Sequence, residues 1–179
     1  MTIIKEEEQN MDSVPNAVSP KTVLDLGAYN GLTSKPYVQE GDTWILVDNK
    51  QWVEYGWGKP SIPPNAIFIE KDIMDYHEPA DIVVCACVLY HVIDPHALLK
   101  HLFNLTKNTL YLKTYFDKEG EGWQYYGEKK QAHSDPKTAK TIFWRPTEIA
   151  LTKELYEIGF KLVEVAKHEN VLATWTCTK

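Results

Sequence analysis

A chain of 179 residues with 44% hydrophobic and 25% charged positions has ordinary proportions for one soluble domain with a substantial core. A formal net charge of −6 disfavours nucleic acid as a partner of the whole surface, so only a local patch is left for that role. No apolar stretch approaches the roughly 20 residues of a membrane span, and the first eleven residues are too acidic for a signal peptide. A cytoplasmic protein with no membrane contact is expected. Cys85, Cys87 and Cys177 fit reduced thiols, because C-x-C with no second pair is poor zinc-binding chemistry, and no metal site is expected.

In chain order, residues 1–20 carry Glu6-Glu7-Glu8, Pro15 and Pro20 with little apolar periodicity. They read as a flexible arm placed to fold over a ligand, ahead of a single domain over 21–179. The first strand is Val23–Gly27, inside the run T-V-L-D-L-G-A-Y-N-G at 22–31. Thr33-Ser34-Lys35-Pro36 reads as a helix start, with Pro36 tolerated in the first turn. Trp44–Asp48 is a second buried strand. Residues 49–65, with Trp52, Trp57, two glycines and three prolines, leave room only for a short helix. Ala66–Glu70 and Asp81–Cys87 are the third and fourth strands. Leu98, Leu99, Leu102 and Leu105 lie at helical spacing, and Thr109–Tyr115 is the fifth strand. Residues 117–141 are polar, aromatic and too long for a mere connection, so they read as an insertion. Pro146–Ile158 is a helix with Gly159 just past its end, and two strands, 161–166 and 171–177, close the chain around a turn at 168–170.

Five strands separated by crossovers and followed by a hairpin describe an α/β fold. Its sheet is mostly parallel and seven-stranded, with a C-terminal antiparallel hairpin. Ligands of such sheets bind at the carboxyl ends of the strands, near the switch point. The polar residues fall there: Asp25 near the end of strand one, Asp48 ending strand two, Asp72 after strand three, and Tyr90-His91 after strand four.

The Gly27–Gly31 loop narrows the ligand. A dinucleotide loop reads G-x-G-x-x-G and sets backbone amides against a pyrophosphate. Here Tyr29 occupies the second glycine position, and Asp25 would bring negative charge to the phosphates. A nicotinamide dinucleotide is therefore disfavoured. The loop suits a cationic ligand without phosphate, with a carboxylate to take an ammonium group, and S-adenosylmethionine has that character. Asp48 lies 23 positions after Asp25, about the distance at which an acid accepts ribose hydroxyls in nucleotide-binding α/β folds. Helix capping is an alternative role for Asp48, and for Asp72-Ile73, which otherwise would bond and cover an adenine.

The run A-D-I-V-V-C-A-C-V-L-Y-H-V-I-D-P at 80–95 resembles the class I S-adenosylmethionine-dependent methyltransferases, as do V-L-D-L-G-A-Y-N-G, I-L-V-D and E-K-D-I. Within that class the likeness is greatest to the tRNA wobble-uridine carboxymethyltransferases and their relatives, through V-L-Y-H and Phe143-Trp144-Arg145-Pro146 opening the next helix. The resemblance implies a Rossmann-like methyltransferase fold with S-adenosylmethionine as cofactor. The cofactor-contacting set is then Asp25, Gly27, Ala28, Tyr29, Gly31, Asp48, Asn49, Asp72, Ile73, Ala86 and Tyr90. Tyr29 departs from the glycine common in the family, and the long N-terminal region of the wobble-uridine enzymes is not matched.

Methyl transfer is an in-line displacement, so the protein must mainly orient the acceptor and exclude water. His91 is the first candidate for a catalytic base, a structural histidine being the other role open to it. Arg145, the only arginine in the chain, suits an acceptor carboxylate or phosphate. Trp123, Tyr125 and Tyr126 would line an acceptor pocket or pack the insertion on the sheet. A small-molecule acceptor is favoured over RNA. The alternatives are a tRNA-modifying methyltransferase and a catalytically silent cofactor-binding subunit that needs a partner. The oligomeric state is open.

Overall fold

The computed structural model describes residues 19–49, 60–130, 140–169 and 171–179. The strands are β1 (Thr22–Leu26), β2 (Thr43–Asp48), β3 (Ala66–Glu70), β4 (Ala80–Ala86), β5 (Thr106–Tyr115), β6 (Trp123–Lys130), β7 (Lys140–Pro146), β8 (Leu162–Glu169) and β9 (Leu172–Thr178). Among the described residues two α-helices join them, α1 (Pro95–Leu105) and α2 (Glu148–Ile158). Seven strands form one sheet in the order β3-β2-β1-β4-β5-β9-β8. The first five are parallel, and β9 runs antiparallel to both of its neighbours. The α/β sheet expected from the sequence, with its antiparallel C-terminal hairpin, is the one observed.

Strand β1 shows how the pattern fixes the layers, since successive side chains alternate between faces. Leu24 and Leu26 join the larger core with Val83, Cys85, Leu110, Leu112 and Trp175. Helix α1 covers that face through Leu98, Leu99, Leu102 and Leu105, and α2 through Leu151 and Leu155. Asp94 caps α1 by accepting from the Ala97 amide, with Pro95 in the first turn where its missing N–H costs nothing. Val23 belongs to the opposite face with Ala28, Trp44, Leu46 and Val84. There Tyr37 stacks on Tyr111 with centroids 3.9 Å apart.

Several boundaries differ from expectation. The segment after Gly31 forms a 3₁₀ turn, Lys35–Tyr37, and no α-helix. Ser34 caps nothing; its hydroxyl donates to the Gly31 carbonyl and accepts from the Trp44 indole, so a tertiary contact has taken the capping group. β5 begins at Thr106 directly after α1, three residues earlier than predicted. The 117–141 insertion contains β6 and leads into β7, which pair antiparallel as a separate two-stranded sheet. Pro146 ends β7 and does not open the next helix. α2 is capped by Thr147, whose hydroxyl accepts from the Ala150 amide, and it stops at Gly159 with φ +127°. β8 extends through His168 and Glu169, which the sequence assigns to the turn. The predicted short helix over 49–65 falls largely on residues 50–59, and the arm over 1–20 on residues 1–18, both outside the described residues. Among the described residues no helix is long and apolar enough to cross a membrane.

Candidate functional site

The strand order reverses between β1 and β4, and the expected site residues gather at the carboxyl ends around that crevice. Asp25 shares its face with its register partners Leu46 and Val84 and is only 1% exposed. Neither carboxylate oxygen has a hydrogen-bond partner among the described residues. Burial pushes the carboxyl up to about 7, with nearby Ser34 offsetting part of the shift and Asp48 adding to it. A buried carboxyl of this kind is stabilised by an incoming cation.

The loop above Asp25 is pinned to β2. The Gly27 amide donates to the Val47 carbonyl at 2.9 Å, and the Ala28 amide to the same oxygen at 3.3 Å. Gly27 (φ +75°) and Gly31 (φ +73°) both take left-handed backbone. A Cβ at Gly31 would lie 2.8 Å from Trp44 Cζ2 and 2.9 Å from Leu46 Cδ1, so this glycine is required by packing as well as by φ. Tyr29 has φ +47°, the backbone a glycine would adopt at that position. A non-glycine residue is thus held in left-handed backbone, where its side chain is strained.

Asp48 holds this strained turn. Its Oδ2 accepts from the Tyr29 amide at 2.7 Å and its Oδ1 from the Asn49 amide at 2.8 Å. Burial raises its carboxyl above the ordinary value, and the two amide bonds counteract that. Each oxygen keeps lone-pair capacity for further donors, such as ribose hydroxyls. Asp72 follows β3 and caps the 3₁₀ turn Ile73–Asp75 by accepting from the Met74 amide at 2.8 Å. Ile73 packs on the larger core, and its carbonyl lies 3.0 Å from His101 Nε2.

At the end of β4, Ala86 leads to Cys87, another non-glycine residue in left-handed backbone (φ +61°). Sequence reading gave no sign of that turn. Tyr90 and His91 follow in the 3₁₀ turn Leu89–His91. Burial, with Cys87 beside it, pushes the Tyr90 phenol well above its ordinary value, so it stays protonated near neutral pH. Its ring packs on His91 (4.1 Å), Tyr115 (5.0 Å) and Phe143 (5.1 Å).

The hairpin brings Arg145 to the same cluster. Its guanidinium carbon lies 5.0 Å from the Phe143 centroid, 5.4 Å from Tyr126 and 5.5 Å from Tyr115. The His91 and Phe143 ring centroids are 6.0 Å apart in an edge-on contact, so the two catalytic candidates both neighbour one ring. Arg145 Nη1 is 3.5 Å from Asp117 Oδ1, a partner that the sequence did not single out. Tyr126 joins through its hydroxyl to Asp117. Tyr125 instead packs on Trp144, and Trp123 donates to Glu154 on α2.

A mostly parallel sheet with acids at successive strand ends and a glycine loop at its switch point has the arrangement in which open α/β sheets receive ligands. A methyltransferase-domain family model matches residues 6–165, and the chain belongs to that family. No curated relative matches the sequence. Among solved structures, the chain is similar to the N-terminal domain of EvdMO1, crystallised in the presence of SAH and D-fucose. That match has 20% identity and a TM-score of 0.63, covering 89% of this chain and 76% of that one. The Burkholderia thailandensis 1,6-didemethyltoxoflavin-N1-methyltransferase, crystallised with its namesake compound and S-adenosylhomocysteine, matches at 15% identity and TM-score 0.60, covering 89% and 71%. Human N-acetylserotonin methyltransferase, solved with SAM, matches at 17% identity and TM-score 0.61, covering 88% of this chain and 47% of that one.

Proposed function

We propose that the chain binds S-adenosylmethionine in the crevice between β1 and β4 and directs its methyl group to a small-molecule acceptor. The observation that carries the reading is Asp25, a buried carboxyl with no hydrogen-bond partner among the described residues, below a glycine loop whose turn is held by Asp48. The cofactor's ammonium is the charge Asp25 lacks, and Asp48 would accept the ribose hydroxyls. Ala86, Asp72 and Ile73 would border the adenine side, while Gly27, Ala28, Tyr29, Gly31 and Asn49 shape the loop against it. Tyr90 closes the site toward the acceptor. When bound, the cofactor supplies a methyl group on an activated sulfonium.

The chain's own task is orientation and exclusion of water. His91 would take a proton from an acceptor that is not already ionised, and Arg145 would fix the acceptor's anionic group. Structural neighbours whose names specify small molecules support that acceptor class, as does the net charge of −6. The wobble-uridine likeness gains no such support, and the Phe143–Pro146 run on which it leaned lies on a strand.

Calorimetry should show binding of S-adenosylhomocysteine and none of NAD. Asp48→Ala is expected to weaken that binding by about 1–3 kcal/mol, the range for losing a charged hydrogen-bond partner. Unchanged affinity in Asp48→Ala and Asp25→Ala together would sink the cofactor reading. Label transfer from methyl-labelled cofactor to a small molecule in cell extract separates an enzyme from a silent binder. His91→Ala should then lower kcat with cofactor affinity intact.

A further inference from the structure

Arg145 is poorly matched to the partner it has. A guanidinium offers five donors in a planar fork and pairs best with a carboxylate through two parallel bonds. Asp117 gives it one long contact, 3.5 Å from Nη1 to Oδ1. The other Asp117 oxygen is taken by the Tyr126 hydroxyl at 2.6 Å. Arg145 Nε is buried with no hydrogen-bond partner among the described residues. Rings surround the group, with Tyr115, Tyr126 and Phe143 centroids within 5.0–5.5 Å of the guanidinium carbon. Tyr90, at the end of the proposed cofactor crevice, touches two of those rings. Asp117 also lines a cleft of about 1010 Å³.

We propose that Asp117 stands in for the carboxylate of the methyl acceptor, and that the acceptor is a planar aromatic acid that displaces Asp117 from Arg145. The acceptor's carboxylate takes the fork of Arg145, including the Nε that Asp117 leaves unused. Its ring packs against the exposed Tyr126, at the edge of the aromatic cluster that Phe143 and Tyr115 carry on to Tyr90. Flat rings and a guanidinium plane select a flat molecule, and the one cation that the described residues hold among these rings selects one negative charge. Asp117 keeps Arg145 oriented in the absence of acceptor and competes with neutral or weakly anionic molecules. The proposal rests on the methyltransferase reading, since it is that reading that makes Tyr90 the border of the methyl donor.

The test uses the full chain saturated with S-adenosylhomocysteine and benzoate as the probe, followed by tryptophan fluorescence or ligand-observed NMR. Benzoate should bind, with benzamide and cyclohexanecarboxylate each about tenfold weaker or more, because one lacks the charge and the other the flat ring. Arg145→Lys should weaken benzoate by about tenfold, since a point charge cannot reproduce the fork, while S-adenosylhomocysteine affinity stays within about twofold. Asp117→Asn should tighten benzoate several-fold by removing the internal competitor. Equal binding of benzamide, an unaffected Arg145→Lys variant, or weaker benzoate binding by Asp117→Asn would each overturn the proposal. Should Arg145→Lys fail to fold, the Asp117→Asn titration decides alone. Loss of S-adenosylhomocysteine binding in the parent brings down the cofactor reading and this proposal with it. Binding of S-adenosylhomocysteine without benzoate brings down only the proposal.

Discussion

Asp25 places stability and function in opposition. Its carboxyl titrates near 4 in an unfolded chain and at about 7 in the fold, with burial as the main cause. Between those values the folded state holds a proton that the unfolded state has released. Its contribution to stability is therefore complete below about pH 4 and is lost as pH rises through 7. The ligand-free protein should show a falling Tm from pH 5 to pH 8, and Asp25→Asn should flatten that fall. Cofactor binding runs the other way, because an ammonium favours the charged carboxylate. S-adenosylhomocysteine affinity should rise between pH 5.5 and 7.5 with proton release, measurable by calorimetry in buffers of different ionisation enthalpy. An affinity independent of pH would mean that Asp25 does not face the ammonium. Tyr29 is a second residue held against its preference, since left-handed backbone costs a non-glycine residue roughly 1–2 kcal/mol. Tyr29→Gly should therefore raise Tm or leave it unchanged, glycine's extra freedom when unfolded offsetting part of the relief. A clear fall in Tm would show that the ring contributes more than the strain removes.

At the scale of elements, the hairpin β6–β7 is the part that the sequence showed least. Its polar and charged composition suggested an insertion, and Pro146 beside an amphipathic run suggested a helix start. The structure resolves the ambiguity through Thr147, a cap with the hydroxyl to bind the Ala150 amide, which leaves Pro146 to end a strand. The first three parallel strands were legible because their apolar runs end in an acid or a glycine: Gly27 after β1, Asp48 in β2 and Glu70 in β3. The Lys35–Tyr37 turn was not, because it depends on Trp44 reaching back ten residues to Ser34. What holds the hairpin is equally non-local. Glu154 on α2 accepts from the Trp123 indole at 2.8 Å and meets His96 Nδ1 of α1 at 2.5 Å. Glu154→Ala removes both partners at once and should destabilise by about 1–3 kcal/mol. Amide exchange over 123–130 and 140–146 should quicken more than in the central strands. Uniform change across the sheet would count against a tether.

At the scale of the whole molecule, the described residues give the two faces of the sheet different layers. Among the described residues both α-helices lie on the face of the larger core, and the opposite face at β1 and β2 packs against the 27–38 segment that also carries the candidate cofactor loop. That arrangement makes the loop a structural layer as well as a ligand contact. Gly31 fits against Trp44 and Leu46, Ser34 bonds the Trp44 indole, and Tyr37 stacks on Tyr111. Ordering the loop and packing that face are one event, so disturbance in one must appear in the other. Trp44→Phe tests the link, because it removes both the indole N–H that binds Ser34 and the ring edge that lies against Gly31. The expected loss of global stability is about 1–3 kcal/mol, the buried hydrogen bond together with the cavity left in the packed face. Amide exchange should accelerate selectively over 27–38, and S-adenosylhomocysteine should bind more weakly, since part of its binding energy must then reorder the loop. Saturating S-adenosylhomocysteine should in turn restore much of the lost protection. A variant that loses stability evenly, with cofactor affinity unchanged, would show that the loop binds independently of the layer beneath it.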